Sequence, residues 1–397
     1  MTKNDNSAKI DKVLTQRVEQ ILPSKAGLKA LMQKKKIRVY LGVDPTGKKL
    51  HLGHVIPLRK LQEFADLGHE AILLVGTGTV LAGDPSQRES ARPKKLGKEI
   101  KENIKNWKKQ LKNVLNLSDV KIKYNGEWLL KLGLKEIINI SSNISAARLF
   151  QRDMFQKRLG SGNVVWMHEV LYPILQGYDS VFMDVDLEIG GSDQVFNMLI
   201  GRELQQKMRK KEKFVLIGPM ILGTDGKTMS KSSGNCIWID DSSKEKFGKV
   251  MSISDELIIP YFETLTKITP EKVKQYKKDL QSGKSNPKNI KKELAFEIVK
   301  TYNSLKEAEK AKKEFEKVFE EKKLPSEIQE FVITGRINIL DLLVKINLAS
   351  SKSKAKKLIL QKGVRVDKMV WDDWDKDVET KKGMVINVGK RKFVKIK

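Results

Sequence analysis

Two short segments carry side chains that suit the binding of a nucleoside triphosphate. His51 and His54 flank Leu52-Gly53 just after a turn, and their imidazoles can donate hydrogen bonds to a nucleotide. Far downstream, Met229-Ser230-Lys231-Ser232 lies among glycines, so a mobile backbone can carry the Lys231 ammonium toward a triphosphate. Each segment alone is more often structural than catalytic. Their joint occurrence predicts a site that activates a substrate with a nucleotide.

The histidine segment lies where a strand leads through a loop into a helix. The apolar run 37–43 and the turn-forming Asp44-Pro45-Thr46-Gly47 precede it, and the amphipathic stretch 55–65 follows. A helix start offers unpaired N–H groups and a positive dipole end, which attract phosphate. Further strand-like apolar runs alternate with helical patterns, at 71–75, 120–124, 187–189 and 215–217. This alternation predicts an α/β fold with a parallel, Rossmann-like sheet wrapped by helices.

Two further segments offer polar groups in patterns that could line a pocket. Tyr172, Gln176 and Asp179 stand at i, i+4 and i+7 of a helical pattern, so their side chains project from one face. Taken alone, such a stripe is usually solvated. The string Gly190-Gly191-Ser192-Asp193-Gln194 follows a short strand and opens another helix. Its glycines permit close backbone approach, and Asp193 can accept hydrogen bonds from ribose hydroxyls.

The two signatures resemble those of the class I aminoacyl-tRNA synthetases, and the residues between them are similar to the tyrosyl-tRNA synthetases. The resemblance covers most of the chain. It implies a tyrosine-tRNA ligase that forms tyrosyl-adenylate and pyrophosphate from tyrosine and ATP, then charges the 3′ end of tRNA(Tyr). The substrate carboxylate is already a nucleophile, so the reaction needs alignment and cations where charge develops. Mg²⁺ would accompany ATP as part of the substrate, with no tightly bound cofactor and no protein metal site.

The resemblance also implies roles for particular residues. Those expected to contact tyrosine are Tyr40, Asp84, Tyr172, Gln176, Asp179 and Gln194. Those expected to contact ATP are Gly42, Asp44, His51, Gly53, His54, Gly191, Asp193, Met229 and Lys231. Those expected to act on the reacting phosphates are Thr46, His51, His54, Arg88, Arg92 and Lys231. A buried aspartate facing a phenol would reject phenylalanine, because removal of the hydroxyl leaves polar groups unpaired.

Size and charge agree with a multidomain protein that binds a polyanion. The chain has 397 residues and a formal charge of +28, and clustered lysines favour nucleic acid because each neutralised phosphate releases a counterion. The one cysteine, Cys236, rules out an intramolecular disulfide. The amino-terminal residues lack a signal-peptide pattern, and no apolar run approaches the length of a membrane span. We therefore expect a cytoplasmic protein with no membrane partner.

The pattern along the chain predicts four parts. A helical segment (1–36) precedes the Rossmann-like catalytic domain (37–222), whose helical insertion would build a homodimer interface by family resemblance. Residues 223–325 would contain the lysine loop (residues 229–232) and a helical domain facing the anticodon stem. The last part (335–397) is similar to the small α+β S4 RNA-binding domain, with Ser351 capping a lysine-rich helix. Its candidate RNA contacts are Lys352, Lys354, Lys356, Lys357 and Arg391.

The sequence departs from the family pattern at four positions and leaves three alternative functions. Thr228 replaces the first lysine of the second signature, and Leu41 stands where some relatives have a cysteine near the ribose. Glu188 stands where some relatives have glutamine, and Pro173 could kink the helix that carries Tyr172. A tryptophan-specific relative would share the fold and both loops, but Tyr40 and Asp179 argue against it. An RNA-binding regulator with a decayed active site is the second alternative. A nucleotidyltransferase with the histidine signature is the third, although it would not need the lysine loop.

Overall fold

The structure is a computed structural model that describes residues 3–86, 97–229, 233–321, 328–389 and 392–397. The chain divides into two compact units, Met1–Ala308 and Glu309–Lys397. The four-part division derived from the sequence stays a prediction at this finer level. Across the described ranges, every helix is too short or too polar to serve as a membrane span.

The first unit is organised around one mostly parallel sheet. Its strands are β1 (Gln20–Leu22), β2 (Arg38–Val43), β3 (Glu70–Val75), β4 (Val120–Tyr124), β5 (Leu187–Gly191) and β6 (Phe214–Gly218). Their order across the sheet is β1-β6-β5-β2-β3-β4, and all neighbours are parallel except β1, which pairs antiparallel with β6. The strands from β2 to β6 match the apolar runs of the sequence. Continuous apolar runs form such strands because helices cover both faces of a parallel sheet.

Helices account for most of the remaining chain up to residue 319. They are α1 (Lys3–Val13), α2 (Lys25–Lys34), α3 (Leu52–Asp66), α4 (Thr79–Ala82), α5 (Gly97–Leu111), α6 (Gly126–Leu129), α7 (Leu134–Ser141), α8 (Ala146–Phe150), α9 (Asp153–Gly160), α10 (Met167–Met183), α11 (Val195–Arg209), α12 (Ser243–Met251), α13 (Ile258–Leu265), α14 (Pro270–Gln281), α15 (Pro287–Tyr302) and α16 (Leu305–Phe319). The helical segment predicted for 1–36 thus also contains β1, a strand that the sequence pattern did not predict.

The strand order creates a crevice between β2 and β5. From β2 the chain proceeds outward to β3 and β4, and it then returns to build β5 and β6 on the other side. The loops that follow β2 and β5 therefore leave the sheet edge in opposite directions. In open α/β sheets, ligands bind at this switch point, beyond the carboxyl ends of the strands. The histidine segment follows β2, and the Gly190-Gly191-Ser192-Asp193-Gln194 string includes the end of β5.

The second unit has its own apolar core and a small sheet. Its elements are β7 (Gln329–Phe331), β8 (Gly335–Asn338), α17 (Ile339–Lys345), α18 (Lys352–Leu360), β9 (Val364–Val366), β10 (Met369–Val370), β11 (Asp377–Thr380), β12 (Val385–Val388) and β13 (Lys392–Ile396). The main strand order is β10-β9-β12-β13-β7, and β8 pairs with β11. Ser351 caps α18 as predicted, because its side chain accepts a hydrogen bond from the Lys354 N–H.

Candidate active site

A cavity of about 1170 Å³ opens at the switch point between β2 and β5. Every residue predicted to contact tyrosine, ATP or the reacting phosphates lines it, where the structure describes that residue. Lys227 and Thr228, which precede the lysine loop, line it too. Arg88, Arg92 and Lys231 lie outside the described residues, and so does Arg391 of the second unit. Met229, the first residue of the downstream segment, therefore lies at the same cavity as His51 and His54.

Asp179 forms the polar floor of one end of the cavity. Its side chain is almost fully buried and accepts hydrogen bonds from Asn125 Nδ2 (2.9 Å) and Trp128 Nε1 (2.8 Å). Burial raises the pKa of this carboxyl well above its usual range, and the two hydrogen bonds oppose that rise. Because both neighbours are donors, they fix the orientation of the carboxyl group. A ligand hydroxyl could complete its hydrogen bonding from the cavity side.

Tyr40 lies beside Asp179 in the same end of the cavity. It is completely buried, and its hydroxyl is 2.9 Å from Ser180 Oγ. Burial raises the pKa of this phenol well above its usual range, and the charges of Glu188 and Asp179 raise it further. Tyr40 therefore stays protonated at neutral pH. The pair places a protonated phenol next to a carboxyl group, which suits recognition of a ligand hydroxyl.

The helix stripe predicted from the sequence faces the cavity despite the proline inside α10. Tyr172, Gln176 and Asp179 all line it. The Tyr172 hydroxyl donates to Asp44 Oδ2 (3.0 Å), while Asp44 Oδ1 accepts from Thr79 Oγ1 (2.7 Å). The predicted ATP contact Asp44 therefore also positions a predicted tyrosine contact. Pro173 does not remove Tyr172 from the cavity.

A second polar group gathers at the end of β5. Gln194 Nε2 donates to Asp84 Oδ2 (2.9 Å), and Gln194 Oε1 accepts from Asn197 Nδ2 (3.0 Å). Asp193 lies alongside, and burial raises the pKa of its carboxyl, with the Asp84 charge adding to the rise. Carboxylates close to one another suit a cationic or hydroxyl-bearing ligand. The residues predicted for the substrate amino group and for ribose are thus adjacent.

The two histidines form the start of α3. His51 is the N-cap residue, its backbone N–H donates to His54 Nδ1 (3.2 Å), and the ring centroids lie 3.8 Å apart. Since Nδ1 of His54 accepts a hydrogen bond, its Nε2 carries the proton in the neutral ring. The Leu52 N–H donates to Ile237 O (2.9 Å), which ties this helix start to the chain beyond the lysine loop. The start of α3 is therefore anchored to the backbone at Ile237.

Helix α5 clamps the loop that leads from β2 to the histidines. Asn103, Trp107 and Gln110 occupy one face of the helix and hydrogen-bond to loop backbone groups. The bonds run from Asn103 Nδ2 to Pro45 O (2.8 Å), from Trp107 Nε1 to Gly47 O (2.8 Å), from Gln110 Nε2 to Lys48 O (2.9 Å) and from Leu50 N to Gln110 Oε1 (2.8 Å). No pattern in the sequence indicated a role for these three residues. Two of these bonds hold the residues on either side of Thr46.

Replacing Trp107 with phenylalanine tests the clamp. The change keeps an aromatic ring but removes the hydrogen bond to the Gly47 carbonyl. Such a bond stabilises the folded loop by about 1 kcal/mol. We expect the rate of adenylate formation, measured by pyrophosphate exchange, to fall about fivefold. The KM for the amino acid should stay unchanged. Trp371 donates a similar bond to Asp373 O (2.6 Å) in the second unit, so Trp371→Phe is the matched control. Equal exchange rates for the two variants would contradict a positioning role for Trp107.

Other residues that support the site also escaped the sequence analysis. Asn125 and Trp128 follow β4, Ser180 adjoins Asp179, and Asn197 lies in α11. Arg152 donates to Ser86 Oγ (2.6 Å), and burial lowers the pKa of its guanidinium. The position of Asn125 just after a parallel strand was the one available signal. Within the described residues, no three His, Cys, Asp or Glu side chains are arranged to hold a metal ion.

The lysines predicted to contact RNA differ in their surroundings. Lys352 pairs with Asp341 Oδ1 (2.6 Å), and Lys356 Nζ lies 3.4 Å from the centroid of the Trp374 ring. Lys354 and Lys357 are exposed on α18. A charge held by an internal partner is less available to a phosphate than an exposed one. The RNA role of this helix stays a prediction.

Comparison with known proteins identifies the family. The family model described as "tRNA synthetases class I (W and Y)" matches residues 32–320. A protein named Tyrosine--tRNA ligase from Thermotoga maritima is 42% identical over 386 residues, which cover 97% of this chain and 96% of the relative. The chain belongs to this class I tRNA synthetase family. The resemblance inferred from the two signatures is thereby confirmed, as are the α/β fold class and the ligase class of enzyme.

Further members of the synthetase family agree in sequence or in fold. Tyrosine--tRNA ligase 2 of Vibrio cholerae is 40% identical over 380 residues, covering 96% of each chain. A truncated mitochondrial tyrosyl-tRNA synthetase from Aspergillus nidulans superposes with a TM-score of 0.66 at 19% identity, covering 80% of this chain and 99% of that one. The Archaeoglobus fulgidus tyrosyl-tRNA synthetase, solved with L-tyrosine, gives 0.62 at 21% identity, covering 78% and 100%. At these identities the two structures establish the fold alone.

Proposed function

We propose that this chain is a tyrosine-tRNA ligase that activates tyrosine with ATP and transfers the tyrosyl group to tRNA(Tyr). The observation that carries the proposal is the buried pair of Tyr40 and Asp179 in the cavity that His51 and His54 also line. A phenol is the ligand that this pair suits, because Tyr40 is a protonated donor and Asp179 an acceptor. The identity to relatives named as tyrosine-tRNA ligases supports the same conclusion.

The remaining cavity residues fit the rest of the substrate. Tyr172, Gln176 and Asp84 offer oxygen atoms to the ammonium group of tyrosine, and Gln194 offers its amide to the carboxylate. Asp193 accepts from the ribose hydroxyls of ATP, with Gly191 allowing close backbone approach. These groups hold the carboxylate of tyrosine near the α-phosphorus of ATP. Holding two reactants in line supplies much of the rate enhancement when the nucleophile needs no activation.

The phosphates face the helix start and the lysine loop. Thr46, His51 and His54 lie on one side, where His54 Nε2 can donate to a phosphate oxygen. Lys231, Arg88 and Arg92 would supply cations from their loops as negative charge develops on the departing pyrophosphate. ATP enters as its magnesium complex, and the ion neutralises part of the phosphate charge. Thr228 stands where the family signature has its first lysine. Lys227, one residue earlier, lines the cavity and would supply that cation instead.

We further propose a homodimer that acts in the cytoplasm. Large apolar side chains are exposed from α7 to the start of α10, including Leu134 (74% exposed) and Met167 (66% exposed). Apolar side chains left in water at this density favour a protein interface. The exposed Lys354 and Lys357 support an RNA role for the second unit.

Pyrophosphate exchange into ATP tests the function directly. Assays run in parallel with tyrosine, tryptophan and phenylalanine should show exchange with tyrosine alone. A preference for tryptophan would assign the chain to the other branch of the family. Absence of exchange with all three, in protein that is folded and binds ATP, would contradict the ligase assignment. Charging of tRNA(Tyr) with labelled tyrosine then tests the transfer step.

A further inference from the structure

A buried lysine lies directly beneath the proposed tyrosine pocket. Lys213, the residue before β6, has no solvent-exposed side-chain surface, and none of the catalytic roles above uses it. Its ammonium donates to Ser180 Oγ (2.8 Å), to Met198 O (3.2 Å) and to Glu188 Oε2. Each N–H group of the ammonium thus has an acceptor. Two of these acceptors, Ser180 and Glu188, hydrogen-bond in turn to Tyr40 and Gln176, which line the cavity.

The packing of α10 against α11 leaves room for this ammonium. A Cβ atom on Gly201 would lie 2.5 Å from Lys213 Nζ and 3.1 Å from Ser180 Oγ. Across the contact, a Cβ on Gly177 would lie 3.1 Å from the backbone of Gly201. Both helices therefore carry glycine where they meet. The close approach lets a lysine that begins at the sheet reach polar groups on both helices.

One chain of hydrogen bonds leads from Lys213 to Tyr40. An ammonium has no lone pair, so Ser180 Oγ must be the acceptor in its bond with Lys213. The Ser180 hydroxyl hydrogen can then point at the Tyr40 oxygen, 2.9 Å away. If Tyr40 accepts from Ser180, its own hydrogen is left for another acceptor. The phenolic oxygen of a bound tyrosine would be that acceptor.

A second chain leads from Lys213 to Gln176. The ion pair with Lys213 keeps Glu188 an acceptor only, and Glu188 Oε1 accepts from Gln176 Nε2 (3.0 Å). The amide group of Gln176 is therefore fixed with its nitrogen toward Glu188. Its oxygen, which also accepts from Asn197 Nδ2 (2.9 Å), is left to accept from the ammonium group of tyrosine.

We propose that Lys213 is a specificity-positioning residue that sets the direction of hydrogen bonding at both ends of the bound tyrosine. The inference rests on the proposed function, because it concerns the same pocket. Through Ser180 it makes Tyr40 a donor toward the phenol, and through Glu188 it makes Gln176 an acceptor toward the amino group. The ion pair with Lys213 also engages Glu188, which would otherwise compete with the substrate as an acceptor for the Tyr40 hydroxyl.

Stability alone does not account for this ion pair. Taking an ammonium and a carboxylate out of water costs free energy, and burial lowers the pKa of Lys213 accordingly. Apolar side chains of similar volume often replace a buried ion pair with no loss of stability. A fixed direction of hydrogen bonding toward the bound tyrosine does require polar groups at these positions. Apolar side chains cannot provide it.

The test compares exchange with tyrosine and with phenylalanine in a double variant. Lys213→Met combined with Glu188→Met removes both charges and keeps the volume. We expect a folded protein whose tyrosine-to-phenylalanine ratio of kcat/KM falls at least about tenfold, with a raised KM for tyrosine. Wild-type discrimination in the folded double variant would overturn the role of Lys213. Lack of tyrosine-dependent exchange in the wild-type protein would overturn the proposed function, and this inference with it.

Two more variants keep the test decisive. Ser180→Ala retains the ion pair and breaks only the path to Tyr40, so the ratio should fall even if the double variant does not fold. An unchanged ratio in Ser180→Ala would refute the path. Lys60 is a buried lysine elsewhere, which donates to Val13 O and Gln16 O (both 2.6 Å). Lys60→Met should leave the ratio unchanged, and a fall there would show that loss of any buried lysine suffices.

Discussion

Replacing Asp179 with asparagine should lower kcat/KM for tyrosine by about 100-fold or more and abolish most of the discrimination against phenylalanine. The amide has nearly the shape of the carboxyl group but places an NH2 group among donors. One of the bonds from Asn125 and Trp128 is then lost or becomes repulsive. The substrate hydroxyl meanwhile loses its best acceptor. Steady-state exchange with both amino acids measures the effect.

A matched control for Asp179 lies at the amino end of β5, away from the carboxyl ends of the strands where the cavity opens. Asp186 is also buried, precedes β5, and pairs with Lys35 (2.8 Å) away from the cavity. Asp186→Asn should lower stability while leaving the tyrosine-to-phenylalanine ratio as it is. Loss of the ratio in both variants would mean that general destabilisation, and not contact with the phenol, explains the Asp179 result.

Removing both signature histidines, His51→Ala with His54→Ala, should slow exchange by about 1,000-fold with little change in the KM for tyrosine. One donor aimed at transition-state charge is commonly worth about 100- to 1,000-fold in rate. Other groups hold the tyrosine end of the cavity, since Asp179 and Tyr40 hydrogen-bond to Asn125, Trp128 and Ser180. The effect should therefore appear in kcat and in the pre-steady-state rate of adenylate formation.

His168 provides the control for this experiment. It lies in α10 but outside the cavity lining. His168→Ala should exchange at the wild-type rate. A large rise in the KM for tyrosine in the His51 and His54 variant would instead indicate a collapsed pocket, which circular dichroism and thermal unfolding would reveal.

The sequence predicted the catalytic fold well because its signals there are local. The strands from β2 to β6 are continuous apolar runs of ordinary length, and parallel pairing follows from their alternation with helices. β1 escaped prediction because Gln20–Leu22 is only three residues long and becomes a strand by pairing with β6. Its extended form depends on a partner nearly two hundred residues away, which no local pattern can reveal.

The site was predictable where one element carries several of its members. Tyr172, Gln176 and Asp179 share a helix face, so their spacing alone brings them together. Asn125 and Lys213 instead reach the pocket from other parts of the sheet, and their contacts depend on tertiary packing. The sequence therefore predicted side chains that line the cavity. It did not predict the neighbours that hydrogen-bond to them, such as Asn125 and Lys213.

The contacts around the first signature join residues that are far apart in sequence, which affects when the site can form during synthesis on the ribosome. Asn103 and Trp107 hold a loop that lies 58 and 60 residues earlier in the chain. The Leu52 N–H donates its hydrogen bond to the carbonyl of Ile237, which is synthesised much later still. Contacts between distant residues form only after the intervening chain exists. A nascent polypeptide that ends before Ile237 thus lacks a finished nucleotide cradle, so catalytic competence arises late in translation.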